Sequence, residues 1–311
     1  MGNFEFVEGQ VAPGFEPDFE AALFNQEKHR LLQADKWLGF HLVRPDKMKV
    51  VASVFFSPHQ GVALSPASAP FGGIECADHI PAETLYQFIG HYETALRQKN
   101  IHCIHIKLCP SLYCPSLYDM VAVLLLNHGY QVVNAEVGAC VQVEPEALLM
   151  RFDPWEKRKL KQAIKAKLNF RVLPPTHLDE VYHFIHRCRS ERGHSLSMDY
   201  TSLENTVLPC KDNFFLFGLY SDQELVAASI GIAVNSRVFY NFYSAHDSQY
   251  DAVSPVVFLI HEMHHWCYRQ GFVLLDLGTS AHEGKPNFPL IDFKLRLGAK
   301  PAMKLTLEKR L

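Results

Sequence analysis

The stretch HEMHH, residues 261–265, contains two histidines four positions apart, with a glutamate directly after the first. On a helix this spacing places both imidazoles on one face, where they can bind Zn²⁺ while the glutamate activates a water molecule. The segment has Pro255 at its first helical position and Gly271 after its last, which predicts a helix. The motif therefore lies in the context that a zinc protease requires.

A zinc protease also needs a third ligand, which the sequence does not supply at the required position. One protease pattern has Gly three residues and His six residues after the second histidine, but here those positions hold Tyr268 and Gly271. Glu283 is available to a second pattern, but the stretch AHEGKPN places it in a loop. The histidines lie at the margin of an apolar helix face formed by Val256, Ile260, Met263 and Cys267. We therefore predict a packing helix with no metal site, and we disfavour a zinc hydrolase.

The composition limits the classes of function. The chain has 311 residues, 48% of them hydrophobic, which suits two domains with separate cores. The formal charge of −3 provides no general attraction to DNA. The N-terminal MGNFEFVEGQ lacks a basic region followed by an apolar run, and no apolar stretch is as long as a membrane span. We expect a cytoplasmic protein without a membrane span, and no DNA partner.

The eight cysteines include no C-x-x-C pair, and most lie in apolar stretches. We therefore expect free thiols in a reducing compartment. Cys109 and Cys114 belong to a short repeat, CPSLYCPSLY, whose two prolines predict a loop before a helix that starts near Ser116.

Strand-like and helix-like segments follow one another along the chain. In the first half we predict strands at 50–56, 101–108 and 130–143 and helices at 81–99 and 116–128. In the second half we predict helices at 178–189, 255–270 and 289–297 and strands at 213–220, 224–234, 238–245, 272–277 and 303–307. Between the halves, PWEKRKLKQAIKAKLNFRV (154–172) is rich in Lys and Arg and amphipathic, which predicts a basic helix at 154–169. The similar order of elements in both halves predicts an α+β fold with two domains, residues 1–150 and 151–311, each a mixed and mostly antiparallel sheet flanked by helices.

Three segments carry motifs of one enzyme family. SAPFGG (68–73) is similar to a substrate loop, S-x-Y/F-G-G. KRKLKQAIKAKLNFRV (157–172) is similar to R-x-x-I-R-K-A-x-K-x-G-V/L-x-V, with Asn169 in place of the usual glycine. GFVLLDLGTSAHEGKPNFPLIDFKLRLG (271–298) is similar to G-x-x-x-x-D-L/F-G-x-S followed by F-K-x-x-F/L-G. In order and spacing, the chain resembles the Fem family of peptidoglycan aminoacyltransferases and the wider FemAB-like, GNAT-fold acyltransferases.

This resemblance implies two tandem GNAT-like (acyl-CoA N-acyltransferase-like) domains and the transfer of an acyl or aminoacyl group to an amine. Peptidoglycan or another cell-envelope precursor is then a candidate acceptor. The first domain would form the acceptor side, with a substrate loop that contains Ser68, Phe71, Gly72 and Gly73. Arg158 and Lys161 on the basic helix could contact a phosphorylated acceptor or an RNA backbone, although a solvated helix face also explains them. The family uses no zinc at the position of HEMHH.

The second domain would then hold the acyl donor. In acyl transfer an amine attacks a carbonyl carbon, and the tetrahedral oxyanion needs hydrogen-bond donors. Lys294 could meet that oxyanion or a phosphate, and Phe293 could stack on an adenine. The F-K pair of the family lies at the acyl-donor end, which favours this role over that of a surface lysine beside a core phenylalanine.

Three further residues are candidates for the same site. Ser254 is predicted to cap a helix whose free N–H groups could receive a phosphate, although it could be a simple N-cap. Tyr243, near the end of a central strand, could line the cleft or belong to the core. Asp276 lies at a strand end and could be a base or a positioning group. We assign Lys294 and Asp276 to catalysis, and Phe293, Ser254 and Tyr243 to donor binding.

The sequence leaves the donor open between aminoacyl-tRNA and acyl-CoA, and we expect no tightly bound cofactor. Ordinary GNAT domains hold the CoA pyrophosphate in a glycine-rich loop, whereas the equivalent stretch here, AHDSQYDAVS (245–254), has no glycine. This favours the Fem side. The expected partners are a small-molecule or peptide amine and, as a candidate donor, charged tRNA. A CoA-dependent N-acyltransferase and a non-catalytic binding module are the alternatives.

Overall fold

The computed structural model describes residues 3–145, 148–282 and 284–311. The strands are β1 (Glu5–Glu8), β2 (Glu16–Pro17), β3 (Leu38–Arg44), β4 (Lys49–His59), β5 (Val62–Ser65), β6 (Glu75–Cys76), β7 (Cys103–Lys107), β8 (Gln131–Gln142), β9 (Asn169–Leu173), β10 (Phe214–Ser221), β11 (Glu224–Ala233), β12 (Val238–His246), β13 (Leu274–Thr279), β14 (Ala281–His282), β15 (Lys285–Pro286) and β16 (Lys300–Arg310). The helices are α1 (Glu27–Gln33), α2 (Ala82–Gln98), α3 (Pro115–Asn127), α4 (Pro154–Lys165), α5 (Leu178–Ser190), α6 (Tyr200–Val207), α7 (Pro255–Gln270) and α8 (Phe288–Arg296). None of these helices is long and apolar enough to cross a membrane.

Two units can be distinguished along the chain. Unit 1 contains the residues up to Glu136 together with Ala302–Leu311, and unit 2 contains Val137–Pro301. The division therefore falls between Glu136 and Val137, whereas the sequence analysis expected it near residue 150. The change in composition at 154 does not mark the division, because the basic helix α4 lies wholly within unit 2.

The last ten residues belong to unit 1 although the sequence analysis placed them in the second domain. They form most of β16, which pairs antiparallel with β7, so that Thr306 stands opposite Lys107. Leu305 and Leu307 are buried in the core of unit 1. A C-terminal strand that returns to the first unit leaves no local signal in the sequence, because strand pairing is a long-range contact.

Unit 1 is a mixed sheet with the strand order β1-β3-β4-β5-β7-β16, in which only β5 and β7 run parallel along this path. Helix α2 buries Leu85, Phe88, Ile89, Tyr92 and Leu96 in its core. These are the residues whose helical spacing predicted this face, so the apolar stripe of α2 is confirmed.

Unit 2 has the strand order β8-β13-β12-β11-β10-β9, to which β8 contributes its residues from Val137 onward. All neighbours are antiparallel except β12 and β13, which run parallel. Helix α5 lies against β11 and β12, and α7 packs on β10 to β13. The Trp266 ring of α7 lies 5.0 Å from each of the Phe217 and Phe239 rings, which anchors α7 on the sheet. The predicted α+β class, with mostly antiparallel sheets flanked by helices, is confirmed.

The basic helix α4 is shorter than predicted. It begins where Asp153 accepts a hydrogen bond from the Trp155 N–H, with Pro154 at the first helical position. It ends at Lys165 rather than at 169, because Lys167 adopts a left-handed conformation with φ 56° and Asn169 already begins β9. Lys167 thus stands where a helix end often has glycine, and the lysine-rich composition conceals this stop.

Candidate active site

The only parallel pair of the unit 2 sheet is paired over a short distance. The register of β12 and β13 covers Val238–Tyr240 opposite Leu274–Asp276. Beyond that point both strands continue, β12 to His246 and β13 to Thr279. A cavity of about 530 Å³ is lined by residues 240–246 of β12 and 277–279 of β13, with side chains of α5, α7 and α8 completing its wall. The cavity therefore opens where the two parallel strands stop pairing.

Lys294 projects from α8 into this cavity. Its Nζ donates hydrogen bonds of 2.9 Å to the carbonyl oxygens of Gly278 and Thr279, at the end of β13. Burial lowers the pKa of Lys294 from 10.5 to about 8, although the negative charge of Asp276 opposes this effect. Two of the three ammonium N–H groups are thus fixed, which leaves one for a substrate atom. Phe293, the preceding residue, lines the same cavity.

Asp276 lies behind this arrangement and does not line the cavity. It is 3% exposed, and its Oδ1 accepts a hydrogen bond of 2.7 Å from the Gly278 N–H. Its charge also favours the ammonium form of Lys294. The carboxylate therefore holds the turn that presents the two carbonyls to Lys294, which is the geometry of a positioning group. Of the two roles considered for Asp276, this arrangement favours positioning over base catalysis.

Tyr243 lies in the cavity wall on β12. Its hydroxyl accepts a hydrogen bond of 3.1 Å from the Met198 N–H and lies 2.5 Å from the Ser197 hydroxyl. Burial raises the pKa of this phenol. Both partners belong to the segment between α5 and α6, so the hydroxyl fixes that segment at the cavity wall.

Arg189 of α5 is a cavity residue that the sequence analysis did not select. Its guanidinium is half-buried and lies 6.0 Å from the centre of the Tyr243 ring. Burial lowers its pKa, with small opposing contributions from Tyr243 and Tyr240. Within residues 3–145, 148–282 and 284–311, no carboxylate lies within ion-pair distance of this guanidinium. A half-buried cation without a counter-ion is an attractive position for an anionic ligand.

Arg192 and His246 also line the cavity, but their charges are compensated. The Arg192 guanidinium lies 2.9 Å from Asp251 Oδ1, and His246 Nε2 lies 2.6 Å from the same oxygen. The pKa of His246 is lowered, chiefly by burial. Asp251 belongs to the short 3-10 turn Ser248–Val253 before α7. This cluster closes one end of the cavity and leaves Arg189 as the uncompensated arginine.

The charged side chains that line the cavity are basic. Its lining includes Arg189, Arg192 and Lys294 and, among the described residues, no aspartate or glutamate. Glu283, which the sequence analysis considered as a metal ligand, lies outside the described residues. The cavity therefore suits a ligand that carries a negative charge.

Ser254 differs from its predicted role. It precedes α7, as expected, but it adopts a left-handed conformation with φ 51° and makes no side-chain capping bond. Its hydroxyl turns back to the Asp251 carbonyl oxygen at 3.5 Å, and it does not line the cavity. The first two turns of α7 still reach the cavity through Val256 and Ile260. The assignment of Ser254 to donor binding stays a prediction that the geometry does not favour.

The predicted substrate loop is part of unit 1. Phe71 is 3% exposed and packs edge-to-face on Phe24 and Tyr113. A Cβ at Gly72 would lie 2.8 Å from the Pro66 nitrogen, and Gly73 has φ +88°. The Ser68 N–H donates a hydrogen bond to the side chain of Gln33. Close packing thus explains the Phe and both glycines, and their role in substrate binding stays a prediction.

The two predicted contacts on the basic helix are exposed. Arg158 stacks on the Trp155 ring at 4.7 Å, and Lys161 faces solvent. Neither lines the cavity of unit 2. Of the eleven residues that the sequence analysis selected, the structure brings Lys294, Phe293 and Tyr243 together at the cavity and Asp276 directly behind Lys294.

The HEMHH motif lies in α7, as predicted, but its histidines are less marginal than expected. His261 is 8% exposed, and its Nδ1 lies 3.0 Å from Glu262 Oε1. The ring centres of His261 and His265 are 4.3 Å apart. Both histidines follow Val256 and Ile260, through which α7 reaches the cavity, and neither histidine lines it.

Comparison with known proteins identifies the fold. Residues 156–290 match the family model described as an acetyltransferase (GNAT) domain. FemX is similar over 98% of this chain and 97% of its own, with a TM-score of 0.70 and 11% identity. The C-terminal domain of a putative lysylphosphatidylglycerol synthetase from Agrobacterium fabrum is similar over 83% of this chain and 80% of its own, with a TM-score of 0.53 and 12% identity.

A third solved structure is also similar to this chain. A tandem GNAT protein from the clavulanic acid biosynthesis pathway is similar over 99% of this chain and 98% of its own, with a TM-score of 0.51 and 11% identity. No curated protein matches the sequence. The chain has a FemAB-like GNAT fold. In this fold the GNAT-type match covers most of unit 2, the unit that holds Lys294, Arg189 and the cavity.

Proposed function

We propose that this FemAB-like GNAT protein transfers an acyl or aminoacyl group to an amine, and that the unit 2 cavity is the reaction site. The observation that carries the proposal is Lys294, a buried cation that two carbonyl oxygens hold at the wall of a cavity of substrate size. The predictions of a transferase and of a Fem-like fold agree with this geometry.

The reaction needs an electrostatic partner for a developing negative charge. The neutral amine nitrogen attacks the acyl carbon and a C–N bond forms. The bond to the leaving group of the donor then breaks with its electron pair, and the leaving group takes up the proton that the amine loses. The N–H of Lys294 that makes no bond to the protein can donate to the tetrahedral oxyanion. Because Lys294 is already fixed and desolvated, little reorganisation is required at this step.

Arg189 supports a substrate with an anionic group. Phosphate and carboxylate form charge-assisted hydrogen bonds with a guanidinium, and these bonds are stronger when the site excludes water. The substrates implied by the Fem resemblance, a charged tRNA and a nucleotide-linked murein precursor, both carry phosphates. We propose that Arg189 binds such a group while Lys294 acts at the acyl carbon.

The turn before α7 favours a donor other than CoA. In this turn the Asp247 carboxylate accepts the Gln249 N–H at 3.0 Å and pairs with Arg187, and Asp251 pairs with Arg192. A pyrophosphate would need free N–H groups, and the Gln249 N–H is already bound to Asp247. The stretch 245–254, which has no glycine, therefore offers fewer free N–H groups to a pyrophosphate. This supports an aminoacyl donor over acyl-CoA.

A ligand screen followed by a transfer assay tests the proposal. The panel contains an aminoacyl-adenosine mimic of a tRNA 3′ end, UDP-linked muropeptide, acetyl-CoA, longer acyl-CoAs and phosphatidylglycerol. A ligand that binds only the folded protein raises its melting temperature. We expect a shift with the aminoacyl compound or the muropeptide, and transfer when donor and acceptor are combined. A shift with acyl-CoA alone would instead assign a CoA-dependent reaction.

Two substitutions separate the proposed roles. Lys294→Met should lower kcat about 10²–10³-fold, because it removes an oxyanion donor. Arg189→Met should weaken binding of the anionic substrate about 10–100-fold, with a smaller effect on kcat. Lys211→Met and Arg237→Met are the matched controls, since both residues are exposed and neither lines the cavity. Full activity of Lys294→Met, or equal losses in the controls, would contradict the proposal.

A further inference from the structure

The HEMHH motif has a geometry that the proposed transfer reaction does not use. One ligand atom from each of His261, Glu262 and His265 lies within 4.8 Å of the other two. The His261 side chain is 11% exposed and that of Glu262 25%, and His265 is half-buried. The cluster is thus partly shielded from water but open to solvent at His265.

The donor atoms suit a divalent transition metal. Two imidazoles and one carboxylate are a common set of protein ligands for Zn²⁺, and water can fill the fourth position. With Zn–N distances of 2.0–2.1 Å, neighbouring ligands of a tetrahedral site stand roughly 3.4 Å apart. The three donor atoms, which lie within 4.8 Å of one another, would have to approach to about 3.4 Å to bind one ion.

A histidine pair on another helix provides a comparison for the arrangement on α7. Helix α5 carries His183 and His186 three positions apart, with Asp179 3.2 Å from His183. Over residues 3–145, 148–282 and 284–311, the α7 group alone brings three such ligand atoms within 4.8 Å of one another. His264, although adjacent, is fully buried with its Nε2 3.2 Å from the Gln142 carbonyl oxygen, so it faces away.

Although the sequence predicts a packing helix with no metal site, we propose from this geometry that His261, Glu262 and His265 form a binding site for a divalent transition metal such as Zn²⁺. The site is separate from the cavity of unit 2, because none of its three ligands lines that cavity. Glu262 acts here as a ligand, so the site does not carry the hydrolytic base of a zinc protease. The metal joins two successive turns of α7, the helix whose first two turns reach the cavity through Val256 and Ile260.

Calorimetric titration of tag-free, metal-stripped protein with ZnCl₂ tests the site directly. We expect one Zn²⁺ per chain and an increase in melting temperature, because the metal binds the folded arrangement. His265→Ala should weaken binding at least tenfold, and Glu262→Gln should weaken it to a smaller extent. Circular dichroism checks that both variants remain folded, which is expected because neither residue is fully buried.

Matched variants distinguish this site from other metal ligands of the chain. The double substitution His183→Ala and His186→Ala removes the same residue types from α5 and should leave Zn²⁺ binding unchanged. Cys109 and Cys114, with sulfurs 4.0 Å apart in unit 1, are the competing thiols. Co²⁺ bound at the α7 site should give d–d absorption without a thiolate charge-transfer band.

Three results would overturn the proposal. One is the absence of both binding heat and a melting-temperature increase with Zn²⁺. The second is unchanged affinity in folded His265→Ala. The third is loss of binding in Cys114→Ser together with a thiolate–cobalt band in the wild type. Each is independent of the transfer reaction, since none of the measurements requires turnover.

Discussion

Lys294→Met replaces a buried cation with an apolar side chain of similar length, and its effect on stability depends on pH. Burial lowers the pKa of Lys294 from 10.5 to about 8. One pH unit corresponds to about 1.4 kcal/mol, so the folded state is destabilised by about 3 kcal/mol when this amine is charged. The variant avoids this destabilisation. It also leaves the Gly278 and Thr279 carbonyls without the ammonium donor, which costs about 1–3 kcal/mol of stability for each carbonyl. At pH 7 we therefore expect the two opposing effects to leave the variant near the stability of the wild type.

The sign of the pH dependence follows from proton binding. Below pH 8 the amine is protonated in both the folded and unfolded states, so the destabilisation is fully present. Between pH 8 and 10.5 the unfolded chain binds a proton that the folded protein has released, so the wild type gains stability as pH rises. The free energy of unfolding of the wild type should thus increase by about 3 kcal/mol relative to Lys294→Met between pH 7 and 10.5.

Urea unfolding at a series of pH values measures this difference. Groups that titrate equally in both proteins cancel when the two curves are subtracted. Lys211→Met, a substitution of an exposed lysine, should give a curve parallel to that of the wild type. If the Lys294→Met and wild-type curves are also parallel, Lys294 has an ordinary pKa. The argument that it is a desolvated cation at the acyl carbon then fails.

Three further outcomes test neighbouring parts of the structure. Asp276→Asn removes the charge that favours the ammonium form, so the pKa of Lys294 should fall further and the difference curve should move to lower pH; an unmoved curve would contradict the pairing. Tyr243→Phe removes the hydroxyl that binds Ser197 and the Met198 N–H, and urea unfolding should show a loss of about 1–3 kcal/mol because a part-buried N–H loses its partner. Gly231→Ala would place a Cβ 2.3 Å from the Phe239 ring, and the same assay should show a loss of about 1–3 kcal/mol; a neutral effect would mean that this part of the β11–β12 contact can relax.

The elements of the fold could largely be predicted from local patterns. The apolar stripe of α2 and the alternation of β12 depend only on the periods of a helix and a strand, and β10 and β11 are largely continuous apolar runs. The helix 255–270 was marked by a proline at its start and a glycine after its end, and it occupies Pro255–Gln270. Some missed elements are short, such as α6 (Tyr200–Val207), which has only two buried side chains. The strand β3 (Leu38–Arg44), with four buried residues, was also missed.

Long-range pairing could not be predicted in the same way. The return of β16 to β7, and the early end of pairing between β12 and β13, depend on contacts between segments far apart in the chain. The cavity follows from the second of these, so neither its position nor its lining could be read from a local pattern. Lys294, Phe293 and Tyr243 were selected because a motif or a strand end marked them, and the splayed strands bring them together.

The substrate-facing charge of the cavity depends on residues that no motif marks. Helix α5 and the residues after it carry Arg187, Arg189 and Arg192 in a short stretch, and the sequence does not distinguish among them. In the structure Arg187 pairs with Asp247 and Glu191, and Arg192 pairs with Asp251, which leaves Arg189 uncompensated among the described residues. The F-K motif thus marks Phe293 and Lys294, which line the cavity, whereas Asp251 pairs with Arg192 and leaves Arg189 as the arginine that we propose to bind substrate. Proteins that share this fold and the F-K motif need not share a substrate, because a single change at Asp251 would leave Arg192, which lines the cavity, without its ion pair.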